Sequence, residues 1–185
     1  MKFSKTKING AYLIELEKIE DERGFFARTW DSQLFKEFGL NNNINQCSIS
    51  LTKKKGTIRG IHFQISPHEE SKLVRCVQGK IFDVIVDLRS NSETFLQWYG
   101  VELSAENANS IYVPEGVAHG FQTLEDDSVM LYQISEFFHE NSTRGIKWDD
   151  PKLSIVWPLK KTVISNRDNN LPYLKDDLVQ NNFNL

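Results

Sequence analysis

The sequence predicts an all-β protein in which two sheets close over a core as a jelly roll or a similar barrel. Three observations carry this. Short strand-like runs follow one another at about the 8–12-residue spacing of a sandwich or barrel. Gly, Pro, Asn and Lys-rich turns separate them. Helix-period segments between the strands, which an α/β fold would need, are missing. At 185 residues the chain suits one domain over 1–185, long enough to bury a core.

The elements follow in order. "AYLIELEKI" (11–19) alternates in part, and "GFFART" (24–29) follows the polar turn "EDERG". "DSQLFKEFGL" (31–40) is the best helix. Asp31 or Ser32 can cap it, Gly39 can end it, and Leu34, Phe35 and Phe38 fall at helical spacing. The Asn-rich stretch 41–45 reads as a loop. "QCSISLT" (46–52) leads through "KKKG" into "GTIRGIHFQ" (56–64). "SKLVRCV" (71–77) and "KIFDVIVDL" (80–88) flank Gln78-Gly79, which reads as a hairpin turn. "QWYGVELS" (97–104), "NSIYVPEG" (109–116), "AHGFQTL" (118–124) and "SVMLYQISEF" (128–137) complete the strands. The tail "KDDLVQNNFNL" is polar enough to fray or to dock as a short helix.

Composition narrows the function. Hydrophobic content is 39% and charged content 25%, an ordinary globular profile. A net charge of −3 gives no global field for nucleic acid, so an anionic ligand needs a local Arg/Lys cluster. No apolar run approaches the ~20 residues that span a bilayer, and the N-terminus lacks a signal peptide's apolar core. Cys47 and Cys76, both in strand-like runs, read as two buried free thiols in a reducing cytoplasm.

Some polar residues sit where apolar ones are expected. Arg59 and His62 interrupt a run that otherwise wants apolar company, so something must occupy their polar atoms. They are three residues apart and would point to opposite faces of a flat strand. For both to reach one ligand the strand must bulge, and Gly60 is the expected place. His119 opens a strand after the turn at Pro114 and Gly116. This Pro-x-Gly-x-x-His pattern resembles the second motif of cupins, small jelly rolls. The first motif departs, with His62-Phe63-Gln64 where metal-binding cupins carry His-x-His. Three readings stand: core histidines satisfied by carbonyls, a metal site of His62, His119 and Glu69 or Glu70, or metal-free acid–base chemistry. The last needs an orienting carboxylate, an opposing acid and a cation. Asp168, Tyr132 (on one face with Met130 and Ile134) and Lys72 offer these. His139 lies in a polar turn and His68 in a loop beside two glutamates.

Taken together, "DERGFF" (21–26), "GTIRGIHFQ", "KLVRCVQGKIFDVIVDLR" (72–89), "PEGVAHGF", "WDDP" (148–151) and "ISNRD" (164–168) resemble the nucleotide-sugar 3,5-epimerases of the dTDP-4-dehydrorhamnose type. The resemblance covers nearly the whole chain. It implies a metal-free, cofactor-free cupin jelly roll, a cytoplasmic homodimer in deoxysugar synthesis for the cell envelope or secondary metabolites. The implied substrate is a nucleoside-diphosphate 4-keto-6-deoxy sugar, dTDP-linked first, with CDP and GDP open. The enzyme would invert carbons 3 and 5, or carbon 3 only. His62 would be the base, Asp168 its partner, Tyr132 the acid and Lys72 the cation for the enolate, with His119 near the ketone. Arg23, from the neighbouring subunit, and Arg59 would hold the diphosphate. Gln46, Phe138 and Arg167 would contact substrate. The chain departs from the family's usual Glu at Arg28 and Thr143, its Tyr at Phe138 and its Lys at Arg167. A metal-dependent cupin enzyme and a non-catalytic sugar-binding jelly roll are the rival readings.

Overall fold

The structure is a computed structural model describing residues 1–174; the predicted fate of the tail falls outside the described residues. In chain order the elements are β1 (Lys2–Lys5), β2 (Tyr12–Glu15), β3 (Ile19–Asp21), β4 (Gly24–Phe26), α1 (Ser32–Glu37), β5 (Gln46–Thr52) and β6 (Ile58–Gln64). Then come β7 (Lys72–Gln78), β8 (Lys80–Asp87), β9 (Trp98–Ser104), β10 (Ser110–Val113), β11 (Val117–Thr123) and β12 (Ser128–Ile134). A 3-10 turn (Glu140–Ser142), β13 (Thr143–Gly145) and α2 (Asn166–Asn169) close the list. No described helix is long and apolar enough to cross a membrane.

Two antiparallel sheets face each other. One has six strands in the order β1-β2-β10-β7-β12-β5, the other five in the order β13-β6-β11-β8-β9. β3 and β4 form a separate hairpin. Val74, Cys76, Ile111 and Met130 from the first sheet pack on Ile81, Ile85, Leu103 and Phe121 from the second, and this layer is the main core. The predicted all-β jelly roll is what forms. Both faces of β8 are buried. Ile81 and Ile85 face the central core, while Val84 and Val86 face outward under Ile146, Leu153 and Leu174. That is why "KIFDVIVDL" reads as a near-continuous apolar run.

Helix α1 forms as the sequence suggests. The Asp31 carboxylate accepts the N–H groups of Gln33 and Leu34 at 3.0 and 3.3 Å. Phe35 is buried against Tyr112 and Leu73 on the outer face of the six-stranded sheet, and Gly39 ends the helix at φ +69°.

Two expectations are corrected. Gln78-Gly79 is no hairpin: β7 pairs with β10 and β12, and β8 with β11 and β9, so the chain crosses from one sheet to the other there. Gly79 makes the crossing at φ +71°, where an added Cβ would lie 2.7 Å from the Ser128 hydroxyl. The two cysteines are not both buried. Cys76 is in the core, where burial pushes its thiol up to about 11, but Cys47 is exposed; both are free.

Candidate active site

The site lies between the sheets at one end of the sandwich. β6 brings Arg59 and His62 to it, and the predicted irregularity at Gly60 is present. His62 pairs with His119 and Arg59 with Phe121, so β6 spends three residues where β11 spends two. The extra residue turns both side chains toward the same cavity. Gly60 has φ +101°, and a Cβ there would sit 2.6 Å from Gly120 Cα and 2.7 Å from the His119 carbonyl oxygen. The bulge thus needs a residue with no side chain.

The cavity, of about 630 Å³, is lined from the five-stranded sheet by Arg59, His62 and His119. From the six-stranded sheet come Lys72, Tyr132, Ile134, Gln46, Ser48 and Ser50. Period two places these on one face: Lys72 pairs with Ile134, and Ile134 with Gln46, while Tyr132 pairs with Ser48. Asp168 closes the cavity from α2, where the Ser165 hydroxyl caps its N–H.

His62 Nε2 lies 2.8 Å from Asp168 Oδ1. The second carboxylate oxygen accepts the Gly60 N–H at 3.2 Å. Burial pushes the Asp168 carboxyl up, but the hydrogen bond and charge of His62, the Gly60 N–H and the Ser165 hydroxyl outweigh it and hold it below its usual range. An ionised carboxylate only accepts, so Nε2 is the donor and Nδ1 keeps the free lone pair. The imidazole is part-exposed to the cavity, and Asp168 is buried behind it.

Tyr132 faces this pair from the opposite sheet. Burial, partly opposed by a bond to the Ser50 hydroxyl at 3.4 Å, pushes its phenol up to about 12, so it carries a proton at neutral pH. Its ring meets His119 edge to face at 6.1 Å. The Lys72 ammonium is held by Glu70 at 2.6 Å, with both side chains largely buried.

Two partners were not assigned from the sequence. Asp83, fully buried, bonds His119 Nε2 at 2.7 Å. An acid in the middle of the apolar run of β8 was the available signal, since a buried carboxylate requires a partner. Glu70 appeared only as a possible metal ligand; it anchors Lys72 instead. The metal-site alternative lacks its donor set: among the described residues no three donor atoms from His62, His119, Glu69 and Glu70 come together.

The remaining residues divide. Gln46, Phe138, Thr143 and Arg167 line the cavity, and Gln46 Oε1 accepts the Phe138 N–H at 2.8 Å. Arg59 also donates to the Leu51 carbonyl at 3.2 Å. Arg23 does not line the cavity. It sits at the turn of the exposed β3–β4 hairpin, bonded to Asp21. Arg28 pairs with Asp31, also outside it.

Residues 5–176 match the family model described as dTDP-4-dehydrorhamnose 3,5-epimerase. The chain is 42% identical over 181 residues to the dTDP-4-dehydrorhamnose 3,5-epimerase of Methanothermobacter thermautotrophicus, covering 96% of this chain and 97% of that one. Among solved structures it superposes on the dTDP-4-dehydrorhamnose 3,5-epimerase of Elizabethkingia anophelis with a TM-score of 0.92 at 42% identity, covering 95% and 97% of the two chains. A dTDP-6-deoxy-D-glucose-3,5-epimerase of Legionella pneumophila, solved with dTDP-4-keto-L-rhamnose, aligns at a TM-score of 0.89 and 35% identity over 96% of each chain.

Proposed function

The chain belongs to the dTDP-4-dehydrorhamnose 3,5-epimerase family, and on that premise we propose that it inverts carbons 3 and 5 of a dTDP-linked 4-keto-6-deoxy sugar. One observation carries the assignment of roles. An imidazole backed by a carboxylate and a protonated phenol face one cavity from opposite sheets.

Each inversion follows from that arrangement. His62 Nδ1 takes the proton from the carbon beside the ketone, and the C–H electron pair moves into the C4 carbonyl as an enolate. Asp168 stabilises the imidazolium that forms. Lys72, oriented by Glu70, balances the oxyanion, with His119 held by Asp83 beside it. Tyr132 returns a proton from the other face, which inverts the centre. The imidazolium loses its proton to solvent and the phenolate regains one. No electrons are gained or lost, so the reaction calls for no redox cofactor.

Arg59 and Arg167 supply the local positive charge for the diphosphate, and Phe138 offers a ring face to the base. Arg23 would reach the site of a second subunit in a homodimer. The hairpin that carries it exposes Ile19, Phe25 and Phe26, and β5 exposes Ile49 and Leu51, apolar surface suited to a partner. The same reading makes the protein a cytoplasmic enzyme of deoxysugar synthesis.

The test offers dTDP-, CDP- and GDP-linked 4-keto-6-deoxy sugars and reads ring proton couplings by NMR. Inversion at both centres of the dTDP sugar is expected. Inversion at carbon 3 alone narrows the activity, and tight binding without inversion or hydrogen exchange overturns it.

A further inference from the structure

Three side chains outside the cavity meet where two loops touch. His68 follows Pro67 between β6 and β7, and Glu136 and His139 lie between β12 and the 3-10 turn. One ring nitrogen of each histidine and one Glu136 oxygen lie within 4.8 Å of one another, all from half-buried residues. None of the three lines the cavity.

The two loops are already joined. Gln64 Nε2 donates to the carbonyls of His68 at 3.0 Å and Phe137 at 3.1 Å, and its Oε1 accepts the His139 N–H at 2.6 Å. Gln64 is buried, so this clip is shielded from water. The clip orders the loop backbones before an ion binds. The imidazoles stack with centroids 3.4 Å apart and planes 12° from parallel. The lone pairs lie in the ring planes, so to bind one ion the rings turn about χ2, a soft torsion, out of this stack and toward the Glu136 oxygen. Two imidazoles and a carboxylate suit a borderline divalent transition ion, with water completing the shell. Glu69 and Glu140, adjacent in sequence to the two histidines, add negative charge around it.

We propose that His68, Glu136 and His139 form a binding site for a divalent transition-metal ion of the zinc class, bridging the β6–β7 loop to the loop after β12. The ion takes no part in proton transfer. It stiffens the loops that present Glu70 and Phe138 to the cavity.

The experiment uses tag-free protein stripped with chelator and titrated with Co²⁺, read by visible absorption, with Zn²⁺ as competitor. One Co²⁺ per chain is expected, displaced by Zn²⁺, with binding lost as pH falls because imidazoles must be neutral to coordinate. His139→Ala and His68→Ala should each weaken binding at least about tenfold. Zn²⁺ should raise the melting temperature of the wild type and not of either variant. Both histidines are half-buried loop residues, so circular dichroism should show both variants folded. No stoichiometric Co²⁺ binding at about 100 μM, or binding by either variant as tight as wild type's, overturns the proposal.

Discussion

Gly60→Ala probes the feature on which the site's geometry depends. The new Cβ would lie 2.6 Å from Gly120 Cα and 2.7 Å from the His119 carbonyl, both backbone atoms of the neighbouring strand with no rotamer to yield. The φ of +101° adds strain of roughly 1–3 kcal/mol for any residue but glycine. Overpacking against a fixed strand adds about 1–3 kcal/mol more. The sum, roughly 2–6 kcal/mol, corresponds to a fall in melting temperature of about 5–20 °C for a chain of this size. Relief requires β6 to move away from β11. That shifts the Gly60 N–H off Asp168 and carries His62 with it, so turnover falls as well. Thermal melts by circular dichroism at fixed protein concentration, with turnover measured well below the transition, read both effects. A variant that melts within about 1 °C of wild type and turns over normally refutes the argument that the bulge excludes a side chain and sets the dyad.

Tyr132→Phe removes the acid and leaves the base, so hydrogen exchange at carbon 3 should continue while inversion slows by roughly 10²–10⁴-fold; equal loss of both counts against separate roles. Asp168→Asn reports on linkage. The Asp168 carboxyl is held below its ordinary value, so its stabilisation is complete above roughly pH 4 and lost as pH falls through the lowered value. Urea melts should show a gap between wild type and variant that is full above roughly pH 4 and closes in acid; a pH-independent gap contradicts a carboxylate stabilised by the fold. Mixing Arg23→Ala with His62→Ala subunits tests the shared site. If Arg23 serves the neighbour, each mixed dimer regains one intact site, and random 1:1 mixing restores about a quarter of wild-type activity. No recovery, with subunit exchange confirmed, rules out a site completed by the partner's Arg23.

Much of the fold was legible because its signals are local. The Asp31 cap, the Gly39 stop and the turn at Gly116 each depend on a few residues. Strand pairing is not local. Gln78-Gly79 carries the chemistry of a hairpin, but whether a turn joins neighbours or switches sheets depends on which edges of β7 are already taken. Cys47 was misplaced for a related reason. In β5 the polar residues Gln46, Ser48 and Ser50 face the cavity and Cys47, Ile49 and Leu51 face out, so the usual apolar-in rule runs backwards at a ligand site. The bulge at Gly60 followed from the spacing of Arg59 and His62 once the resemblance put both on one ligand. His62, Lys72, Tyr132 and Asp168 were brought together by the resemblance, since no spacing links residues 106 positions apart. Asp83 and Glu70 escaped because each lies across from or beside a partner that only tertiary structure supplies.

Every step of the proposed reaction depends on His62 removing carbon-bound hydrogen. Wild type and His62→Ala, each incubated in heavy water with the dTDP-linked 4-keto-6-deoxy sugar and followed by proton NMR, test it most directly. Deuterium should enter carbons 3 and 5 with wild type and neither carbon with the variant. Undiminished exchange in His62→Ala would contradict the claim.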